Sequence, residues 1–475
     1  MGFPARARMI ALIVAGALFM QQLDGSIIAT SLPPMAGSFH VQALDLSTGL
    51  TVYLLATAAF VPLSGWIADR YGARTIFLLA IAVFTASSLA CGLAATLPQF
   101  IAARAVQGLG GALMVPVGRM VVLRSTEREH LVHAIALLTW PSLAAPILGP
   151  ALGGFITTYA NWRWNFLLNV PLGLAGALLA LRHLPDSREP EARALDWPGF
   201  VLSAAALVLL LYGLEGFAHA IGHWAWPLAS ACAGTLFAAL ATRHFRRARQ
   251  PLLDLAALQV QSYRLCTLDA GLAMRVAINA TPFLLPLLFQ LGFGLNAWSA
   301  GMLVLVYFAG NMGMKPFTTR MLRRFGFRQL LVGNGLLVGA SLLALAAFGP
   351  QSARWALMLV LLLAGAVRSM EFTCLNTLVF ADVPDRLRAP ANTLASMAWE
   401  VASAAGVAVA ALLLSLAASL RGAQALATID FRWAFVLLGA VALAAAASYA
   451  RLPVDAGSDV SGHRGPSAAK RPAGN

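Results

Sequence analysis

The chain has 475 residues, of which 59% are hydrophobic and only 11% charged, and its formal net charge is +14. Soluble domains carry about 25% charged residues, so a chain this apolar lacks the polar surface that water requires and points to lipid as its solvent. The basic residues do not gather on one face or in one tail, as nucleic-acid binding would need. They recur in short clusters between long apolar runs, the pattern of positive-inside loops.

A short basic start, Met1 to Arg8, leads into an apolar run that continues to about Ser31. The run is too long for a secretory h-region and contains Asp24, so it reads as a retained first span. A span needs about 20 apolar residues. Fourteen such stretches are predicted, at 9–32, 46–67, 75–95, 98–121, 131–157, 164–182, 197–217, 224–242, 265–290, 297–318, 329–349, 354–380, 391–418 and 431–450. The predicted fold is all-α and polytopic. It divides into a six-helix bundle over 1–190, a two-helix insert over 191–250, a second six-helix bundle over 251–452 and a disordered cytoplasmic tail over 453–475.

With the N-terminus inside, most of the 33 Lys and Arg residues fall in cytoplasmic segments, the densest being Arg243–Arg249 and Arg320–Arg328. Arg163, Arg354, Arg421 and Arg432 fall outside, and Arg104, Arg275, Lys315 and Arg368 lie within spans. This bias places both termini in the cytoplasm. The loop Arg70-Tyr71-Gly72-Ala73-Arg74 after the second span is echoed by Arg324-Phe325-Gly326-Phe327-Arg328 after the tenth. Internal repeats of this kind build many secondary transporters, with the substrate site near the midplane between halves.

Three further stretches carry mechanism. Gly65-Trp66-Ile67-Ala68-Asp69-Arg70-Tyr71-Gly72-Ala73-Arg74 forms the first cytoplasmic turn. Its glycines permit a tight turn and close helix approach, and Asp69, Arg70 and Arg74 can pair as a latch that holds one conformation. Arg104 opens the fourth span, in Arg104-Ala105-Val106-Gln107-Gly108-Leu109-Gly110-Gly111-Ala112. A buried arginine needs a partner. Asp24 lies at a depth that agrees within roughly 5 Å at 1.5 Å of rise per residue. In the fifth span, Pro141, Pro146, Gly149, Pro150, Gly153 and Gly154 predict a bent helix packed closely on a neighbour.

These stretches resemble, in order, the signature motifs of the major facilitator superfamily. Leu23-Asp24-Gly25-Ser26 with Leu32-Pro33 resembles the first-helix motif of its fourteen-helix drug:proton antiporter branch. Asn161-Trp162-Arg163-Trp164-Asn165-Phe166-Leu167-Leu168-Asn169-Val170-Pro171 resembles the sixth-helix signature of the EmrB/QacA type. The resemblance spans residues 9 to 450. It implies export of small amphipathic molecules by alternating access, driven by protons. It also implies gating by Asp69 and Arg70, proton coupling through Arg104, and an antiporter motif at Gly149 and Pro150. Two departures stand out. Ala145 occupies a position where the family often has glycine, and the second-half loop carries Thr318, Thr319 and Arg320 where an acid is expected.

The remaining intramembrane charges complete the candidate set. A carboxylate that alternates between a dry site and a cation can couple proton release to conformation. Asp24 beside Arg104 is the first candidate, followed by Glu371 and Glu400, whereas Asp269 near a span end reads as interfacial. Arg368 and Glu371, at i,i+3 spacing, are expected to pair on one helix face. Arg275 and Arg368, with Asn279 and Asn311, are candidate substrate ligands. Arginines facing a cavity would favour a narrow anionic cargo, an organic acid or metal chelate, over lipophilic cations. Met274, Met302, Met312 and Met314 read as core filler, although methionines can also line an adaptable pocket.

No metal site is expected. His219 and His223 near an outer loop read as interfacial, and Cys91, Cys232, Cys266 and Cys374 sit singly in apolar segments. No cofactor is expected either, the energy source being the proton gradient. The expected partners are the lipid bilayer, a small-molecule substrate and protons, with no nucleic acid and no identifiable mark of a periplasmic adaptor. The expected location is the bacterial inner membrane. A channel would need a ring-forming filter, and a membrane enzyme would need a motif such as HExxH, GxSxG or a Walker loop; none of these is present.

Overall fold

The computed structural model describes residues 4–127, 130–185, 195–219, 223–423 and 425–463. Among them the regular structure is helical, with no strand. Lipid offers no partner for a free N–H or C=O, so each apolar run must satisfy its own backbone, and the helix does so.

In chain order, α1 (Ala5–Ile27) runs through a 3₁₀ turn into α2 (Leu32–Phe39), followed by α3 (Ser47–Tyr71), α4 (Ala73–Leu93), α5 (Leu97–Arg124) and α6 (Leu131–Tyr159). Next come α7 (Trp164–Leu167), α8 (Asn169–His183), α9 (Trp197–His219) and α10 (Ala225–Phe245). The chain then forms α11 (Gln261–Thr267), α12 (Ala270–Leu287), α13 (Ala297–Ala346), α14 (Arg354–Ala381), α15 (Arg388–Leu420), α16 (Thr428–Ser448) and the single turn α17 (Ser458–Ser461).

Twelve helical stretches among the described residues are long and apolar enough to cross a membrane. One of them, the 50-residue α13, is two helices meeting at Gly326, where φ is 72° and ψ 171°. The 29-residue α6 lies outside those twelve and coincides with the fifth expected span. Each of the fourteen expected spans therefore falls on a helix.

The chain forms two compact units, residues Met1–His244 with Leu295–Leu305, and Phe245–Gly294 with Val306–Asn475. In the first unit, Ile10, Val14 and Leu18 of α1, Phe77 and Phe84 of α4, and Met114, Val117 and Val121 of α5 make one apolar core. The small residues of α5 let three helices reach it. A Cβ on Gly108 would meet the Tyr53 carbonyl at 2.5 Å, one on Gly110 the Phe84 nitrogen at 2.9 Å, and one on Gly118 Val14 at 2.8 Å. In lipid, where neighbouring helices gain little by hiding apolar surface, such close backbone approach is the main source of cohesion.

The helices α9 and α10 pack with this first unit. Phe200 meets Phe60 edge-on at 5.5 Å, and Trp197 meets Trp66 at 6.4 Å. Glu215 accepts hydrogen bonds from Ser47 at 2.8 Å and Thr48 at 2.9 Å. At the far end of the hairpin, Asp196 and His244 lie 2.7 Å apart.

The tail departs from expectation. Instead of losing structure at residue 453, the chain stays folded to His463, with Leu452, Ala456 and Ser461 buried. The composition of this stretch is polar, but Leu452 and Ala456 are buried, while Val454 and Val460 stay exposed.

Candidate functional site

Asp24 and Arg104 are both fully buried, and Arg104 Nη1 donates to Asp24 Oδ2 at 2.7 Å. The expected pair is formed. Around it is a shell that sequence reasoning missed. Gln107, one helical turn beyond Arg104, donates to Asp24 Oδ1 at 3.0 Å, and Asn169 of α8 donates to the same oxygen at 2.9 Å. Ser88 of α4 accepts from both, at 2.7 Å from Gln107 and 3.2 Å from Asn169. Tyr53 of α3 lies under the guanidinium, 4.2 Å from ring centroid to Cζ.

Four helices, α3, α4, α5 and α8, thus meet α1 around this ion pair, and α5 and α8 bond the carboxylate itself. Asn169 sits within the stretch quoted for its family likeness, so its importance had a signal, although its partner did not. Gln107 had the i,i+3 spacing from Arg104 as its signal.

The pair is not saturated. Arg104 Nε and Nη2 are buried without a hydrogen-bond partner. A guanidinium has five N–H donors, so this site holds a cation whose charge rests largely on Asp24, Gln107 Oε1 at 2.5 Å and the Tyr53 ring. Removing the negative charge of Asp24 would leave that cation uncompensated in a dry place. Such a loss costs about 3–5 kcal/mol in buried pairs.

In the turn after α3, Gly72 adopts φ 93° and reverses the chain between α3 and α4. Asp69 pairs with Arg124, at the end of α5, at 2.8 Å. Both side chains are about a third exposed, so the pair is an interfacial clasp worth little on its own. Arg70 lies 5.5 Å from the Trp66 ring, and Arg74 donates to the Leu181 carbonyl. One expectation fails here. A Cβ on Gly65 would meet nothing within 4 Å. Gly65 therefore makes no close helix contact in this structure.

The helix α6 continues through Pro141, Pro146 and Pro150 without a break. Its glycines let α1 in on one side. A Cβ on Gly149 would overlap Ser26, and one on Gly153 would overlap the Ile27 carbonyl. On another side Gly154 abuts Ala297 and Trp298 of α13, and Trp298 N–H donates to Thr158 at 3.0 Å. Ser31, Thr157 and Asn165 close the α1–α6 seam with bonds of 2.7 to 3.0 Å. The antiporter-like segment is therefore packed directly against the stretch of α1 that follows Asp24.

The second unit is arranged differently. Glu371 is fully buried, and one of its oxygens accepts from Asn334 at 2.9 Å while the other has no hydrogen-bond partner. The expected Arg368–Glu371 pair does not form. Asn334, from the preceding helix, occupies the carboxylate, while Arg368 turns toward the rings of Tyr307 and Phe308, 6.0 and 5.8 Å away. Arg275 donates to Asn376 at 2.9 Å and lies 5.4 Å from the Trp399 ring. Lys315 donates to Thr373 at 3.1 Å and lies 5.6 Å from the Phe372 ring. Phe372 and Trp399 meet edge-on at 4.9 Å, so the two cations flank one aromatic pair.

Asn279 donates to Ser403 at 3.1 Å. Glu400 and the Asn311 side chain make no hydrogen bond or ion pair among the described residues. Asp269 faces Arg264 at 3.6 Å at a half-exposed position. The structure thus groups Arg275 with Lys315 through the Phe372–Trp399 pair but does not join Glu371 to Arg368. Asn334, Asn376, Phe372 and Trp399 were not foreseen.

Residues 14–407 match the family profile described as Major Facilitator Superfamily. The chain belongs to that family. It is 36% identical over 451 residues to a protein of Serratia proteamaculans provisionally named multidrug resistance protein MdtD, covering 93% of each chain. A Klebsiella pneumoniae protein of the same name is 36% identical over 460 residues, with 96% of this chain and 97% of the relative covered. Among solved structures, a D-xylose–proton symporter superposes with a TM-score of 0.68 at 15% identity, covering 95% of this chain and 98% of its own. The POT family transporter PepTSo gives 0.68 at 12% identity, covering 95% and 98%. At such identities these two share the fold alone. The chain is a multi-pass membrane transporter of this superfamily, working in a lipid bilayer on a small-molecule substrate.

Proposed function

We propose that the chain is a proton-coupled exporter of the drug:proton antiporter type. It moves small amphipathic molecules out across the bacterial inner membrane by alternating access, with both termini in the cytoplasm. The observation that carries the coupling is the buried Asp24–Arg104 pair with its incomplete guanidinium shell. A proton on Asp24 would cancel the charge that holds Arg104, and Arg104 would then have to find water or other acceptors. Either route changes the contacts through which Asp24 joins α1 to α5 and α8. The family profile supports the transport class, and the names of the relatives support multidrug cargo. Glu371 and Glu400 are proposed as further proton-responsive groups. Asp69, Arg70, Gly72 and Arg74 are proposed as the gating turn, and Pro146, Gly149, Pro150, Gly153 and Gly154 as the antiporter segment.

A second reading has its own observation. Arg275, Lys315 and Arg368 have no carboxylate within ion-pair distance among the described residues. Such a group repels lipophilic cations and suits an organic acid or metal chelate, with Arg275, Asn279, Asn311 and Arg368 as ligands.

The test is proton release from purified protein in liposomes under an imposed pH gradient, with lipophilic cations and di- or tricarboxylates as cargo. Release driven by cations in wild type and lost in Asp24→Asn supports the antiporter reading. Release driven by carboxylates and lost in Arg275→Ala selects the anionic cargo. Coupled release that persists in Asp24→Asn would sink the role given to that carboxylate.

A further inference from the structure

The two homologous turns of the fold are fastened by different means. After α3, the turn carries its own acid, and Asp69 reaches Arg124 at the end of α5 directly. The second-unit counterpart, inside α13 at Gly326, is all basic, with Arg320, Arg323, Arg324 and Arg328 in no ion pair among the described residues. One acid of that region, Asp382, sits at the end of α14. It does not receive a loop arginine. Its Oδ1 accepts the backbone N–H of Gly457, at 2.9 Å, from the C-terminal segment.

That segment is laid over the turn. Gln261, at the start of α11, donates to the Arg451 carbonyl at 3.1 Å. Leu452 is buried, and Gly457, at φ 65°, lies so close to Phe327 and Leu378 that a Cβ would meet them at 2.5 and 3.0 Å. The chain then forms α17, and His463 comes to rest on Gly326, where a Cβ would meet its Cδ2 at 2.8 Å. The His463 Nδ1 lies 3.2 Å from the Arg323 carbonyl. Both touching glycines have positive φ, which side-chain-bearing residues adopt only with strain. The fit therefore depends on bare glycine backbone meeting the side chains of Phe327, Leu378 and His463.

We propose that residues 452–463 are a strap that replaces the missing ion pair of the second-unit turn. It ties the turn at Gly326 to the end of α14 and must lift before those helix ends separate. The strap is suited to release. It holds by few hydrogen bonds and a small apolar patch, which places it at the low end of local opening free energies. Its consequence for gating rests on the transporter reading, but its existence does not.

Hydrogen–deuterium exchange on the full chain in lipid nanodiscs, without cargo or pH gradient, tests this. In Gly457→Val, amides in 322–328 and 379–387 should exchange roughly tenfold faster than in wild type, as expected when about one hydrogen bond and its packing are lost. His463→Ala should accelerate 322–328 alone, and by less. The turn at 65–74 should be unchanged in both. A chain ending at Arg451 must reproduce the acceleration. Unchanged exchange of 322–328 and 379–387 in Gly457→Val and in the shortened chain overturns the strap. Because exchange is read without transport, failure here leaves the antiporter reading intact, and a failed transport assay leaves the strap intact.

Discussion

The two units bury charge in opposite ways. In the first, one acid and one base meet at 2.7 Å, and three amide and hydroxyl side chains, Gln107, Asn169 and Ser88, surround the acid. In the second, three cations and two acids lie within spans, and none pairs with another among the described residues. The cations there rest against rings and amides. A closed pair stores a response to a proton, because neutralising one member strands the other. Unpaired cations on aromatic walls store no such response, but they leave a field available to cargo. The difference is what supports the proposed coupling through Asp24 and Arg104, and what favours Arg275, Lys315 and Arg368 as cargo ligands in the second reading.

The largest break in this comparison should come from Arg104→Ala. It leaves the Asp24 carboxylate buried without its cation, and a cost of about 3–5 kcal/mol is expected. Thermal unfolding in detergent should fall accordingly, and Asp24→Asn combined with Arg104→Ala should recover most of the loss. Simple additivity of the two would mean that the pair is not coupled.

A smaller effect is expected from Asn334→Ala in the second unit. Glu371 then loses its hydrogen-bond donor inside a dry core, at about 1–3 kcal/mol. The same unfolding assay reads it, and Glu371→Gln in the Asn334→Ala background should be nearly neutral. If Arg368 were the true partner of Glu371, Asn334→Ala would do little and Arg368→Ala would take its place.

The smallest effect should be Asp69→Asn. The Asp69–Arg124 clasp is exposed, so stability should change by at most about 1 kcal/mol, and the change should shrink as salt is raised. Transport velocity, not unfolding, is where this substitution should be felt, because the clasp ties a turn to one helix end without adding to the core.

Much of the fold could be read from residue types alone. Each long apolar run became a helix, since lipid leaves the backbone no other way to satisfy itself. The Asp24–Arg104 pair was also legible, because two charges in otherwise apolar spans at equal depth have few other partners. Gly65 was misread because a glycine in a tight-turn motif says nothing about which face of its helix a neighbour will occupy. The Arg368–Glu371 pair was misread for a related reason. Spacing along one helix brings side chains within reach, but Asn334 from another helix competes for the same carboxylate, and sequence does not reveal that competition.

What the sequence by itself determined is the helical class, the number and order of spans, and the chemistry of the first-unit ion pair, all consequences of local hydropathy and the cost of burying charge. What only the tertiary structure decided is which polar groups surround that pair, where the second-unit cations point, and that a polar tail folds back over Gly326. Those outcomes depend on contacts between residues far apart in the chain, such as Asn169 with Asp24 and Gly457 with Asp382. They are fixed by packing, and packing is not periodic in the sequence.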